Sequence, residues 1–179
     1  MLNPRMKFCP WCGKSLVVQM HGDRERKMCP DKSCGFIDWN NPTPVVAAIV
    51  EKAGKVVLVR SIGWPPGWYG LVTGFLEAGE TTEEGVLREV KEEIGLDVEM
   101  GGLIGLYPFY RMNQLLIVYH VIAPDLPIAL DTSELEGFKE VPIDQVQPWD
   151  AGTGIGLRDW LRTKGFEREL ISLRGRGKR

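Results

Sequence analysis

Gly74-Phe75-Leu76-Glu77-Ala78-Gly79-Glu80-Thr81-Thr82-Glu83-Glu84-Gly85-Val86-Leu87-Arg88-Glu89-Val90-Lys91-Glu92-Glu93-Ile94-Gly95-Leu96 is the stretch that decides how this chain folds. Thr81 with Glu84 three residues later has the pattern of a capping box, and Gly95 stands where a left-handed C-terminal cap belongs. The spacing therefore predicts a helix over Thr82–Ile94. Val86, Leu87, Val90 and Ile94 recur at helical intervals and define a buried face, which leaves the glutamates largely on the rest of the surface. At about 100° per residue, Glu89, Glu92 and Glu93 fall within an arc of roughly 100°. Like charges gathered this way repel unless a cation sits among them. Hard carboxylate oxygens on a rigid element are what Mg²⁺ or Mn²⁺ takes, and such an ion would bridge phosphate oxygens and sharpen a water as nucleophile. A merely solvated acidic face leaves Gly74, Glu80 and Arg88 unexplained.

On the N-terminal side of this stretch, the apolar run Val45-Val46-Ala47-Ala48-Ile49-Val50 predicts a strand over about 45–51. A turn at Lys52–Lys55 containing Gly54 and a strand over Val56–Arg60 complete a hairpin. Gly63-Trp64-Pro65-Pro66-Gly67-Trp68 reads as a loop, Leu71–Phe75 as a short buried strand and Gly79–Glu80 as a turn. On the C-terminal side, strands are expected at Leu103–Tyr107 and Leu115–Ala123 and a helix at Gly156–Lys164, before the basic tail Arg174-Gly175-Arg176-Gly177-Lys178-Arg179. A boundary near Asn41-Pro42-Thr43-Pro44 separates a polar, cysteine-bearing segment, 1–41, from the main domain, 42–170, with the tail over 171–179.

A length of 179 residues accommodates one ordinary domain and a small appendage. The net charge of −2 gives no support for a nucleic-acid or membrane-surface protein, so nucleic acid is set aside as the expected partner. No apolar run of membrane length occurs and Met1–Gly13 lacks the apolar stretch of a signal peptide, which leads to a cytoplasmic expectation. All four cysteines precede residue 35, in the knuckles Cys9-Pro10-Trp11-Cys12 and Cys29-Pro30-Asp31-Lys32-Ser33-Cys34. This is the layout of a zinc ribbon, with four thiolates closing a tetrahedral site around a structural Zn²⁺. A redox dithiol would not require the second pair. The second knuckle is longer than the commoner two-residue spacing. His21 and His120 are without an evident partner in sequence, the first reading as surface and the second as packed.

The stretch Gly74–Leu96 also resembles the Nudix box, G-x5-E-x7-R-E-U-x-E-E-x-G-U with U aliphatic: Gly74, Glu80, Arg88, Glu89, Val90, Glu92, Glu93, Gly95 and Leu96 fill it without a gap. The resemblance implies an α/β fold, the Nudix α/β/α sandwich with a mixed sheet, preceded by the ribbon. It implies that Glu89, Glu92 and Glu93 coordinate the divalent ion, with Glu89 or a neighbour also a candidate for activating water. Arg88 and Glu80 would hold the carboxylates by ion pairing, and Gly74 would begin the catalytic loop. An additional acid is expected from outside the box, with Glu134 as the candidate and Glu136 and Glu140 as alternatives. A ribbon ahead of such a domain resembles the NADH pyrophosphatase subgroup and relatives acting on FAD or ADP-ribose. The sequence departs from that subgroup at Gly105-Leu106-Tyr107-Pro108-Phe109-Tyr110-Arg111-Met112-Asn113-Gln114, where a Ser-Gln-Pro-Trp type signature belongs. Tyr107, Phe109 and Tyr110, and likewise Trp64 and Trp68, are candidates either for stacking on a base or for the core. The implied activity is hydrolysis of the pyrophosphate bond in a nucleoside-diphosphate derivative, with a nucleotide-derived small molecule as substrate and a homodimer as the assembly. The alternatives are an RNA-end pyrophosphohydrolase, for which ribbon and tail would supply contacts, and a non-catalytic nucleotide sensor.

Overall fold

The computed structural model describes residues 6–172 and divides the chain into two compact units, Met1–Pro42 and Thr43–Arg179. Of the tail expected over 171–179, residues 173–179, with its basic run, lie outside the described residues.

The first unit is a three-stranded antiparallel sheet in the order β1-β2-β3: β1 (Val17–His21), β2 (Arg24–Met28) and β3 (Ile37–Asp38). Its hairpin turns through Gly22, whose φ of 63° is left-handed backbone that glycine adopts without penalty. Hydrocarbon does little to hold this unit. Every residue of β1 is exposed, as are Phe8, Trp11 and Trp39, and the buried apolar side chains among its described residues are Cys9 and Cys29.

The second unit contains β4 (Thr43–Lys52), β5 (Lys55–Ser61), β6 (Val72–Phe75), α1 (Thr82–Ile94), β7 (Glu99–Phe109), β8 (Gln114–Ala123), β9 (Leu135–Pro142) and α2 (Gly154–Thr163). Its six-stranded mixed sheet runs β7-β8-β4-β5-β9, with β6 on β4. The central strand β4 reads as an unbroken apolar run because both of its faces are covered, as in parallel sheets sandwiched by helices. Val46, Ala48 and Val50 join a core with Val86, Val90 and Ile94 of α1, while Val45, Ala47 and Ile49 join one with Leu157, Trp160 and Leu161 of α2. This alternation about a central sheet is the α/β/α sandwich.

β4 runs parallel to β8 along its whole length, Thr43↔Gln114 to Lys52↔Ala123. Its other edge is shared: β6 pairs antiparallel with residues Val45–Ala48 and β5 with Val50–Lys52. Beyond this fork β5 pairs with Gly70 through Val59. The sequence expectation of a strand over Leu103–Tyr107 underestimates β7, which pairs with β8 from Glu99 to Phe109 across two bulges. Gly101 and Gly102 hide its start, and glycine is needed there because a Cβ on Gly101 would lie 2.3 Å from His120 Nδ1. α2 begins two residues before the expected Gly156.

Candidate active site

The helix α1 forms over the residues its sequence punctuation marks. The Thr81 side chain accepts from the Glu84 backbone N–H at 3.2 Å, the Glu84 carboxylate accepts from the Thr81 backbone N–H at 2.8 Å, and Gly95 closes the helix at φ 75°. Tyr119 on β8 ties down its first turn, with the hydroxyl 2.7 Å from Thr82 Oγ1 and 2.9 Å from Glu83 Oε1. The helix thus leaves the sandwich with a fixed axis and rotation, and its acidic residues take set places.

Arg88 organises those residues. Its guanidinium donates to both oxygens of Glu80, Nε at 3.0 Å and Nη2 at 2.8 Å, and through Nη1 to Glu89 Oε1 at 2.8 Å and Glu92 Oε2 at 2.9 Å. Nη2 also donates to the Phe75 carbonyl, which binds the helix to the end of β6. The bidentate pair with Arg88, reinforced by the Glu77 backbone N–H, lowers the Glu80 carboxyl to about 2. Glu80 and Arg88 therefore stand as a fixed strut. The Glu89 carboxyl is shifted the other way, upward, because its burial outweighs the pull of Arg88.

The expectation that the glutamates lie largely off the buried face needs correcting at Glu93. It is only 7% exposed, whereas the Glu92 side chain is 59% exposed. Burial first, and the neighbouring charge of Glu89 second, push the Glu93 carboxyl up to about 8 against the pull of the Thr73 backbone N–H. One of its oxygens, Oε2, is buried without a hydrogen-bond partner. Gly74 makes room for this arrangement: a Cβ there would sit 1.8 Å from Glu89 Cδ. The α1 acids are nevertheless not drawn into a tight cage. Among the described residues only the four cysteines bring three or more such ligand atoms within 4.8 Å of one another.

Glu89, Glu92 and Glu93 line one side of a cleft of about 890 Å³. Of the three candidates for an additional acid, Glu134 faces this cleft and its charge raises both Glu89 and Glu93. Glu136 is paired with Arg60 at 3.1 Å, and Glu140 with Lys52 at 2.8 Å and Lys55 at 3.2 Å, so neither is free to serve. Asp131, which sequence reasoning did not single out, also lines the cleft. Its backbone N–H donates to the Glu93 carbonyl at 3.0 Å, and its side chain caps the turn at Ser133. The Asp-x-Ser spacing was the available signal for that turn.

Aromatic side chains also line the cleft: Trp64, Trp68, Tyr69, Phe75, Phe109 and Trp149. Trp64 lies over Gly70, where a Cβ would come within 2.9 Å of its ring. The two loop tryptophans and Phe109 thus line the site rather than the core alone. Tyr107 instead packs against the α2-side core and donates to Asp159 at 3.0 Å, and Tyr110 is exposed without lining the cleft. His120 is packed as expected but not partnerless: Nε2 lies 2.8 Å from Glu51 Oε2. His21 lies on the exposed β1 with its ring edge-on to Trp39.

In the first unit Cys9 and Cys34 Sγ are 3.6 Å apart and Cys12 and Cys29 Sγ 3.5 Å apart, and all four sulfurs lie within 4.8 Å. A tetrahedron with Zn–S bonds of about 2.3 Å has edges of about 3.8 Å, so the four thiolates fit a zinc ion. Each close contact joins one cysteine from each knuckle, as a shared centre requires and two separate dithiols do not.

Comparison with known proteins places this geometry. The NUDIX domain description matches residues 40–161. The chain is 32% identical over 150 residues to the NAD-capped RNA hydrolase NudC of Pseudomonas aeruginosa, covering 83% of this chain and 52% of that protein. It is 29% identical over 152 residues to the human NAD-capped RNA hydrolase NUDT12, covering 80% of this chain and 32% of that protein. The chain therefore spans about half the length, or less, of these curated relatives. A NUDIX hydrolase structure from Nitrosomonas europaea superposes with a TM-score of 0.71 at 26% identity, covering 93% of this chain and 97% of that one. Two relatives named for an RNA substrate remove the force of the charge argument against a nucleic-acid partner.

Proposed function

Because the chain belongs to the NUDIX family, we propose that it is a pyrophosphohydrolase that splits a nucleoside diphosphate joined to a second group, of the ADP-ribose, NADH or FAD class, and releases a nucleoside monophosphate. The observation that carries this reading is Glu93, whose carboxyl is raised to about 8 and keeps one buried, unpartnered oxygen in a cleft shared with Glu89. A lone buried carboxylate is costly unless a cation or a proton joins it. Glu89, Glu92 and Glu93 are the residues that would hold Mg²⁺ or Mn²⁺, with Glu134 as the additional acid. When bound, the ion supplies charge neutralisation at the phosphate oxygens and lowers the pKa of water.

This chain's own residues do the rest. Arg88 sets the positions of Glu89 and Glu92 and ties them to the Phe75 carbonyl, so the acids are oriented before substrate arrives. Glu89, mostly buried and raised in pKa, is the group placed to accept a proton from an attacking water. Trp64, Trp68 and Phe109, which line the same cleft, offer flat faces to a nucleobase.

A second reading, hydrolysis of a dinucleotide carried at an RNA end, has specific support in the relatives named for NAD-capped RNA. The scissile bond is the same in both readings, and only what is attached to the ribose differs. The test is release of AMP from ADP-ribose, NADH and FAD, and of nicotinamide mononucleotide (leaving a 5′-monophosphate on the RNA) from an NAD-capped oligoribonucleotide, in Mg²⁺, Mn²⁺ and EDTA. Divalent-dependent release of the mononucleotide from at least one substrate is expected, and silence across the panel overturns the assignment.

A further inference from the structure

The cleft is lined by six carboxylates, those of Glu77, Glu89, Glu92, Glu93, Asp131 and Glu134, and by two cationic side chains, Arg88 and Arg111. Arg88 is fully committed, holding three glutamates and a backbone carbonyl. Arg111 is exposed and makes no hydrogen bond or ion pair among the described residues. Its backbone, by contrast, is fixed. It lies in the turn joining β7 to β8, where the Met112 N–H donates to the Phe109 carbonyl at 3.1 Å and the Asn113 N–H to the Tyr110 carbonyl at 3.3 Å. Asn113 takes the left-handed conformation at φ 52°, and its carbonyl accepts from the Thr43 N–H at 2.9 Å. A free guanidinium is thus delivered to an acidic cleft by a pinned turn, beside Phe109 of the aromatic lining.

A guanidinium in that setting selects for an anion. The scissile phosphates belong with the carboxylate helix and the ions it would hold, on the elements that carry Glu89 and Glu93. Arg111 comes from a different element and has no carboxylate partner of its own, so it is left for negative charge that the helix does not engage. We propose that Arg111 binds a phosphate of the substrate other than the scissile pair, so that the enzyme prefers nucleoside-diphosphate derivatives bearing an additional phosphate on the ribose. That phosphate has two chemical sources, a terminal 2′-monoester on a dinucleotide or the 3′-phosphodiester of an attached RNA strand. A planar fork with several donors suits either, and a lysine would replace it only as a point charge. The proposal rests on the hydrolase reading above for its consequence in turnover, and on the cleft alone for its consequence in binding.

The experiment therefore has two arms. In turnover, kcat/KM is measured for NADH, NADPH and an NAD-capped oligoribonucleotide with the full chain and with Arg111→Ala and Arg111→Lys. The preference for the phosphate-bearing substrate over NADH should fall by about tenfold or more in Arg111→Ala, through KM, with partial recovery in Arg111→Lys. Loss confined to NADPH identifies the monoester, and loss confined to the capped oligonucleotide identifies the RNA strand. Equal loss on all three substrates, or none, overturns the proposal. In binding, tryptophan fluorescence is titrated in EDTA with AMP, adenosine 2′,5′-bisphosphate and adenosine 3′,5′-bisphosphate. One bisphosphate should bind more tightly than AMP, and Arg111→Ala should erase the difference. If the wild type turns over nothing yet shows this Arg111-dependent discrimination, the hydrolase reading fails and the anion site stands. If it turns over dinucleotides but discriminates no phosphate, the site fails and the hydrolase stands.

Discussion

The two units of this chain solve the same problem by opposite means. Thr43–Arg179 buries hydrocarbon on both faces of a six-stranded sheet, with Val46, Ile49, Trp160 and Leu161 essentially inaccessible to water. Met1–Pro42 has a short sheet, one strand exposed throughout, and four convergent sulfurs where a core would be. A unit of that size cannot gather enough apolar burial to offset its chain entropy, and a metal held by the four sulfurs would take the place of a core. The difference teaches where each unit is vulnerable: one to chelation and thiol chemistry, the other to cavities.

Removing the zinc that the four cysteines would hold should give the largest contrast. A zinc site of four thiolates contributes on the order of 10 kcal/mol of folding free energy. Chelation, or Cys9→Ser with Cys29→Ser, is expected to unfold β1–β3 while β4–β9 stay protected, as read by backbone hydrogen exchange. Equal loss of protection in both units would break the contrast. The second unit should respond most to Trp160→Ala or Leu161→Ala, which open cavities against the inner face of the sheet and cost about 3–5 kcal/mol in denaturant melts. A smaller, pH-dependent effect comes from Glu93. Its carboxyl titrates at about 8 in the fold and near 4.5 when the chain is unfolded, so the folded state binds more protons between those values. The stability tied to this proton is full below about pH 4.5 and is lost as pH rises through about 8. Without divalent ions, the protein should weaken over that window by up to a few kcal/mol, and Glu93→Gln should flatten the profile while lowering turnover by about a hundredfold or more. An unchanged profile in Glu93→Gln would mean that the carboxyl is not buried as described. The smallest expected change is Thr81→Ala, which removes one half of the capping box for about 1 kcal/mol and sharpens the comparison by leaving the first unit untouched.

The ends of α1 were legible because they are set locally, by Thr81, Glu84 and Gly95, and the β4–β5 hairpin because its turn and apolar runs are contiguous. The box residues were legible as a set, but not their differing environments. Helical spacing gives the angle of Glu93 around the axis, not the proximity of Thr73 and Asp131, which come from elsewhere in the chain and act on its carboxyl in opposite directions. Arg88 could be read as a partner of the acids, yet its reach to the Phe75 carbonyl depends on how β6 ends. The length of β7 was obscured because Gly101 and Gly102 carry no strand propensity, and the tertiary demand for space beside His120 overrides it. Glu134 could not be chosen over Glu136 and Glu140 without the strand register that gives those two their basic partners.

The forked edge of β4 has a further consequence. The span between β5 and β6 is closed at its base by the reciprocal Val59 and Gly70 hydrogen bonds, both 2.9 Å, and it carries Trp64 and Trp68 outside the ladder. Gly74 and Glu89, by contrast, are locked to strand and helix. Ile62, at the start of this span, is tied through its N–H to the Glu134 carbonyl at 2.8 Å, whereas Trp64 to Trp68 lie beyond that tie. Exchanges among residues 64–68 would thus reshape the aromatic lining of the cleft while Gly74 and the α1 acids keep their places, so the two parts of the lining are free to vary separately over generations.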